Sequence, residues 1–179
     1  GNCMSDDFKE NPQTSEDPRE KLKDLTEEDM KEIYTRMSHR APVAAKKLID
    51  AIGQKPENYS QVTWECVAAL IFGMLGAISV DEFKCHDTYW TTTEMSFIAH
   101  LLLDTPPEES VKLAKYLLNN CNEKDNPDLN PDVWQLIHYG IDLYYIVDQP
   151  ERLKKAAHAI LQACDKSYGM GKSYGTGEE

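Results

Sequence analysis

Thirteen consecutive residues, Cys66-Val-Ala-Ala-Leu-Ile-Phe-Gly-Met-Leu-Gly-Ala-Ile78, carry no charge. Coiled into a helix, such a run is apolar all round, and a helix without a polar face needs neighbours on every side. It is also shorter than the roughly twenty residues a bilayer-spanning helix requires. The run therefore predicts the centre of a multi-helix fold, without membrane insertion. Within it Ala69, Gly73 and Ala77 recur every four residues. That spacing leaves a shallow groove along one side, where a second helix can approach closely.

The surroundings of the run are acidic. From Pro56 to Val111 there are nine carboxylates and one cation, Lys84, within a chain of net charge −12. A field of that sign repels nucleic acid and anionic lipid and favours a protein partner with a basic surface. The length, 179 residues, suits a single domain with a core of its own. The five cysteines, at 3, 66, 85, 121 and 164, form neither a CxxC pair nor an even framework. Free thiols point to a reducing, cytoplasmic setting. Gly1-Asn2-Cys3 ahead of Met4 reads as a cloning remnant; the alternative is a lipid anchor on Cys3 followed by an acidic tether.

Composition divides the chain into three parts. Residues 1–24 are polar and charged with few apolar side chains and read as disordered. Residues 25–168 read as the helical domain, and 169–179 as a flexible Gly/Tyr tail. Thr26 to Asp29 is a capping box that opens a helix to about His39, Pro42 opens a second that Gly53 closes, and a third runs from Ser60 to about Ser79. Asp81 to Asp87 reads as a short turn. Thr91 with Glu94 suggests the next start, for a helix through Phe97, Ile98, Leu101 and Leu102. Further starts fall at Thr105-Pro106-Pro107-Glu108, at Asn130-Pro131 and at Asp148 with Pro150, the last helix closing near Gly169. Nothing alternates with period two, so strands are not expected. The fold class predicted is all-α, a single-domain bundle or array of about seven helices around a central apolar one.

No complete catalytic motif emerges. Gly171-Lys172-Ser173 invites comparison with a phosphate-cradling loop, but the first glycine of that motif would fall at Lys166, and neither strand nor helix brackets it. His138 and Asp142, four apart on one helix, are half a metal site with no second spaced pair to complete it. Cys85, His86 and Asp87 are consecutive, so their side chains diverge. No cofactor is implied.

The segment from Asp81 to Glu94 stands out, because it sets Tyr89 and Trp90 among the acids Asp81, Glu82, Asp87 and Glu94. Aromatic anchors ringed by polar groups concentrate binding energy at compact interfaces. These six residues are the partner-binding set expected of a non-catalytic, acidic, helical binding module: an adaptor, an inhibitor or an immunity-type protein. Two alternatives remain at this point. One is a helical metal- or ligand-binding protein or enzyme using His138 and Asp142; the other is a self-assembling structural component.

Overall fold

A computed structural model describes residues 25–121, 126–168 and 170, and these contain helices but no strand. Residues 1–24, with Cys3, and the tail from 171 onward lie outside the described residues. Six α-helices follow one another: α1 Glu27–Ile52, α2 Gln61–Ala77, α3 Thr88–Leu102, α4 Pro107–Asn119, α5 Pro131–Tyr144 and α6 Pro150–Ala163.

Helix α1 begins with the reciprocal cap read from the sequence. The Asp29 amide donates to Thr26 Oγ1 at 3.0 Å and the Thr26 amide to Asp29 Oδ2 at 3.2 Å. It ends at Gly53, whose φ of 81° lets its amide turn back to the Ile49 carbonyl. Two helices were expected here and one forms, with Pro42 inside it. A proline in a helix interior costs about 3 kcal/mol. What carries the helix on through it is a buried stripe on both sides of the proline, Met37 and Ala41 before it and Ala44, Ala45 and Leu48 after it. A break at Pro42 would turn half of that stripe away from the core. The similar segment from Pro150 to Ile160 differs in this respect, since Pro150 stands in the first turn of α6, where its missing N–H costs nothing.

Ser60 caps α2 by accepting from the Thr63 amide at 3.1 Å. Every residue from Trp64 to Ala77 is buried. A single π turn, Ile78–Glu82, prolongs the helix, with the Phe83 amide reaching back five residues to Ile78. The helical stretch 61–82 is then 22 residues, by length and composition enough to cross a membrane, but 83% of its apolar window is buried inside the protein. Its apolar surface meets α1, α3, α4 and, most extensively, α5.

The α2–α5 contact is backbone against backbone. A methyl group on Gly73 would lie 2.9 Å from the Ile141 amide nitrogen and 3.0 Å from Gly140 Cα, and closer still to the Ile137 carbonyl oxygen. Gly140 reciprocates against the backbone of Leu70. The small-residue groove on α2 thus meets a matching notch on α5. The outer helices complete the wall as pairs, α3 on α4 and α1 on α6.

Beyond α6 the chain folds back over the start of α2. Glu65, fully buried, accepts hydrogen bonds from the Tyr168 amide at 2.7 Å, Ser167 Oγ at 2.8 Å and Gln61 Nε2 at 3.1 Å. Met170 is buried as well. Helix α6 itself stops at Ala163, with Cys164 in an extended conformation, so the last helix is shorter than the sequence predicted.

Candidate functional site

The segment singled out in the sequence forms the passage from α2 into α3. Two hydrogen bonds between Ser79 and Cys85 close the loop: the Cys85 amide donates to the Ser79 carbonyl at 2.8 Å, and Ser79 Oγ donates to the Cys85 carbonyl. Between them Lys84 takes a left-handed conformation, φ 54°. Helix α3 then opens at Thr88, with its cap at Asp87, four residues before the predicted one. Asp87 is the better cap, because one carboxylate oxygen accepts from the Trp90 amide at 3.1 Å while the other accepts from the Tyr34 hydroxyl of α1. Thr91, the expected cap, turns its hydroxyl back to the Asp87 carbonyl from within the first turn.

Most of the six candidate residues are engaged by the protein itself. Trp90 is buried, its indole N–H donating to Ser38 Oγ of α1 at 3.1 Å. Glu82 accepts from Arg40 Nε at 3.2 Å and from the Tyr144 hydroxyl at 2.8 Å, which ties the π turn to α1 and α5. Asp87 is spent on the cap and on Tyr34. Glu94 is buried beneath α3, near Ser38. Asp81 is half-buried. Tyr89 stands apart, 80% exposed.

Burial raises the Glu94 pKa above the usual carboxylate range, against a lowering hydrogen bond from Ser38. The unfolded chain therefore gives up this proton first as the pH rises. Stability contributed by the neutral carboxyl is complete below the unfolded pKa of about 4.3 and is lost as the pH climbs toward the folded value. Glu94→Gln cannot ionise and keeps the shape. It should melt above the native chain at pH 7 and converge with it near pH 4, as thermal denaturation across that range would show. A variant less stable than the native chain at pH 7 would mean that the charge itself is needed.

The structure adds two residues to Tyr89. Phe97 is 56% and Leu101 71% exposed, on the same helix as the buried Ile98. Tyr89, Thr93, Phe97 and Leu101 are spaced by four and run along the outer side of α3, a row of about 18 Å at 1.5 Å per residue. The core side of α3 is already supplied by Trp90, Met95, Ile98 and Ala99, so the helix is apolar on two sides and only one is used. A sequence signal for this exists: the outward positions 89, 93, 96, 97, 100 and 101 hold no Lys, Arg, Asp or Glu. The outward positions of α4 and α6, by contrast, carry lysines and glutamates.

Around this row, the stretch from Cys85 to Val111 holds five carboxylates and neither lysine nor arginine. Two of the five, Asp87 and Glu94, are taken up internally, while Asp104 and Glu108 are exposed just past the end of α3. Beside the first turn of α3 a shallow cleft of about 330 Å³ is lined by Tyr34, Thr35, Ser38 and His39 of α1. Compared with known protein families, curated proteins and solved structures, the chain matches none.

The alternative chemistry has little to build on among the described residues. His138 packs against Trp134 with ring centroids 4.1 Å apart and the planes tilted by 38°, and Asp142 lies on the exposed side of α5. No group of three or more His, Cys, Asp or Glu among the described residues is placed to hold a metal ion. Burial, helped by the charge of Asp87, pushes the Cys85 thiol up to about 11. Burial and a hydrogen bond with Cys164 push Cys66 upward too. Activated nucleophilic thiols are shifted in the opposite direction. His100 and His158 are exposed, their ring nitrogens hydrogen-bonded to the carbonyls of Thr105 and Ala51.

Proposed function

We propose that this protein is a non-catalytic, acidic, helical binding module that engages a basic protein partner through the outer side of α3. The observation that carries this reading is the exposed row Tyr89, Phe97 and Leu101 on a helix face without a formal charge, in a stretch of chain that offers carboxylates and no lysine or arginine. Exposed apolar surface is costly to maintain, and a contiguous patch rimmed by polar groups marks an interaction site. The outward positions of α4 and α6, with their lysines and glutamates, contrast with this uncharged face. Of the six residues expected from the sequence, Tyr89 belongs to the contact surface in this reading. Asp81 and Glu82 add to the acidic field, and Trp90, Asp87 and Glu94 hold α3 in place. The free thiols at 66, 85, 121 and 164 support a reducing, cytoplasmic setting.

A photoreactive benzoyl-phenylalanine at position 89 tests the proposal in living cells, with the same group at position 154 on the outer side of α6 as control. Position 89 should yield a discrete protein adduct that position 154 does not, and Phe97→Glu with Leu101→Glu should reduce its yield at least tenfold. Those two side chains are already in solvent, so the double variant should melt within about 2 °C of the native chain, surface changes costing about 0.5 kcal/mol or less. The adduct's formation should slow with added salt. Identical adducts at positions 89 and 154, or adducts indifferent to the two glutamates, would refute the reading.

A further inference from the structure

Resting on that reading of the α3 face, we infer that its occupant is an amphipathic α-helix of another protein. The occupant's apolar side lies along Tyr89, Phe97 and Leu101, and its Lys/Arg-bearing end lies over Asp104 and Glu108. The fold narrows the possible modes of recognition. No strand is present among the described residues, so there is no sheet edge to which an extended peptide could add. What the face offers instead is a row with a spacing of four along one helix, which a second helix matches with its own i, i+4, i+7 ridge.

The charge on this face is polarised along its length. Toward the C-terminal end the chain carries two exposed carboxylates, Asp104 one residue beyond the α3 cap and Glu108 in the first turn of α4, and no lysine or arginine between them. At the other end the half-buried carboxylate of Asp87 is held by the Trp90 amide and the Tyr34 hydroxyl, and two exposed cations offset its charge, Lys84 three residues before it and Arg36 over the Phe83 ring. A cationic helix end is therefore favoured at Leu101 and not at Tyr89, which sets the direction of the docked helix. A second copy of this chain is a poor occupant. Two-fold pairing of α3 with itself brings no cationic cluster to Asp104 and Glu108, because neither face supplies one, and it joins two molecules of charge −12.

Selection of a phage-displayed random 16-residue library against the full chain, after depletion on the Phe97→Glu/Leu101→Glu variant, tests the inference. Enriched sequences should place apolar residues at i, i+4 and i+7 and cluster lysine or arginine at one end. A synthetic peptide of the leading sequence should lose at least tenfold in affinity to the double glutamate variant. Its affinity should fall about threefold to tenfold on Asp104→Asn/Glu108→Gln, a pair that removes both charges and keeps the left-handed backbone at 104 with a residue that tolerates it. A proline at the peptide's centre should abolish binding.

Ligands that need Phe97 and Leu101 but survive the proline, or that carry no basic end, would overturn the helix inference and leave the binding face standing. A library from which nothing depends on Phe97 and Leu101 would remove both. A dimer in sedimentation equilibrium that the two glutamates dissociate would make the occupant a second copy, and the inference would fall.

Discussion

Gly73→Ala is expected to lower the melting temperature by about 6–12 °C, the shift that ~3 kcal/mol produces in a domain of this size. The cost does not come from helix propensity, where alanine is the better residue. It comes from the backbone of α5: the added methyl group would lie 2.9 Å from the Ile141 nitrogen and nearer still to the Ile137 oxygen. A side chain can rotate aside, whereas two helix backbones must move apart along their whole length, loosening the most extensive contact α2 makes. Gly140→Ala should cost about as much from the other side, since its methyl group would press on the backbone of Leu70. The two act at one crossing, so the double variant should cost less than the sum of the single ones. Gly53→Ala is the control. Its φ of 81° disfavours alanine but nothing lies within 4 Å, so about 1 kcal/mol is expected. Thermal and urea unfolding of the four variants would check the order, and Gly73→Ala melting within about 2 °C of the native chain would contradict the close crossing.

Glu65→Ala is the second large effect. The carboxylate is fully buried and accepts from three donors, two of them on the segment that returns after α6. Removing it leaves the Tyr168 amide and the Ser167 hydroxyl without their acceptor, or lets the segment lift into water. Either outcome costs on the order of 2–4 kcal/mol, because a buried charged acceptor and its donors are lost together. Lifting is the easier route, since residues 165–168 belong to no helix. Hydrogen exchange at Tyr168 should accelerate at least a hundredfold in Glu65→Ala while α5 stays protected, and a protease should cut first after Lys166. Glu65→Gln keeps an acceptor oxygen for one donor and should lie between the two. Unchanged protection at Tyr168 would show that other contacts, such as Tyr116 and Asn130 to its carbonyl, hold the segment.

The central features were legible because they rest on local chemistry. The uncharged run from Cys66 to Ile78 could only be enclosed, and the caps at Thr26, Ser60 and Asn130 each place a side-chain oxygen where the first turn needs an acceptor. The groove of small residues on α2 was visible as well. Its counterpart was not, because Gly140 is a single glycine in a helix of large side chains and nothing local marks it as a contact. Pro42 misled for the opposite reason: the local rule for proline is strong, and the buried stripe from Met37 to Leu48 overrides it only in three dimensions.

At the candidate site the acids and aromatics of 81–94 drew notice by composition, but composition does not say which side of a helix faces out. Trp90 and Glu94 turned inward to Ser38, while Phe97 and Leu101, which match a core pattern equally well, were left outside. When a helix has apolar residues all round, periodicity alone cannot choose its buried side. The spacing of charges on its neighbours is the better guide.

Helix α2 is an enclosed rod onto which its neighbours turn apolar sides, while Tyr89, Phe97 and Leu101 of α3 stay outside. Residue-resolved amide hydrogen exchange on the full chain measures that enclosure directly. Amides from Val67 to Ala77 should exchange only through global unfolding, with the highest protection in the molecule and a rate that follows global stability in added urea. Exchange of those amides within seconds at neutral pH, or protection lower than that of α6, would contradict it.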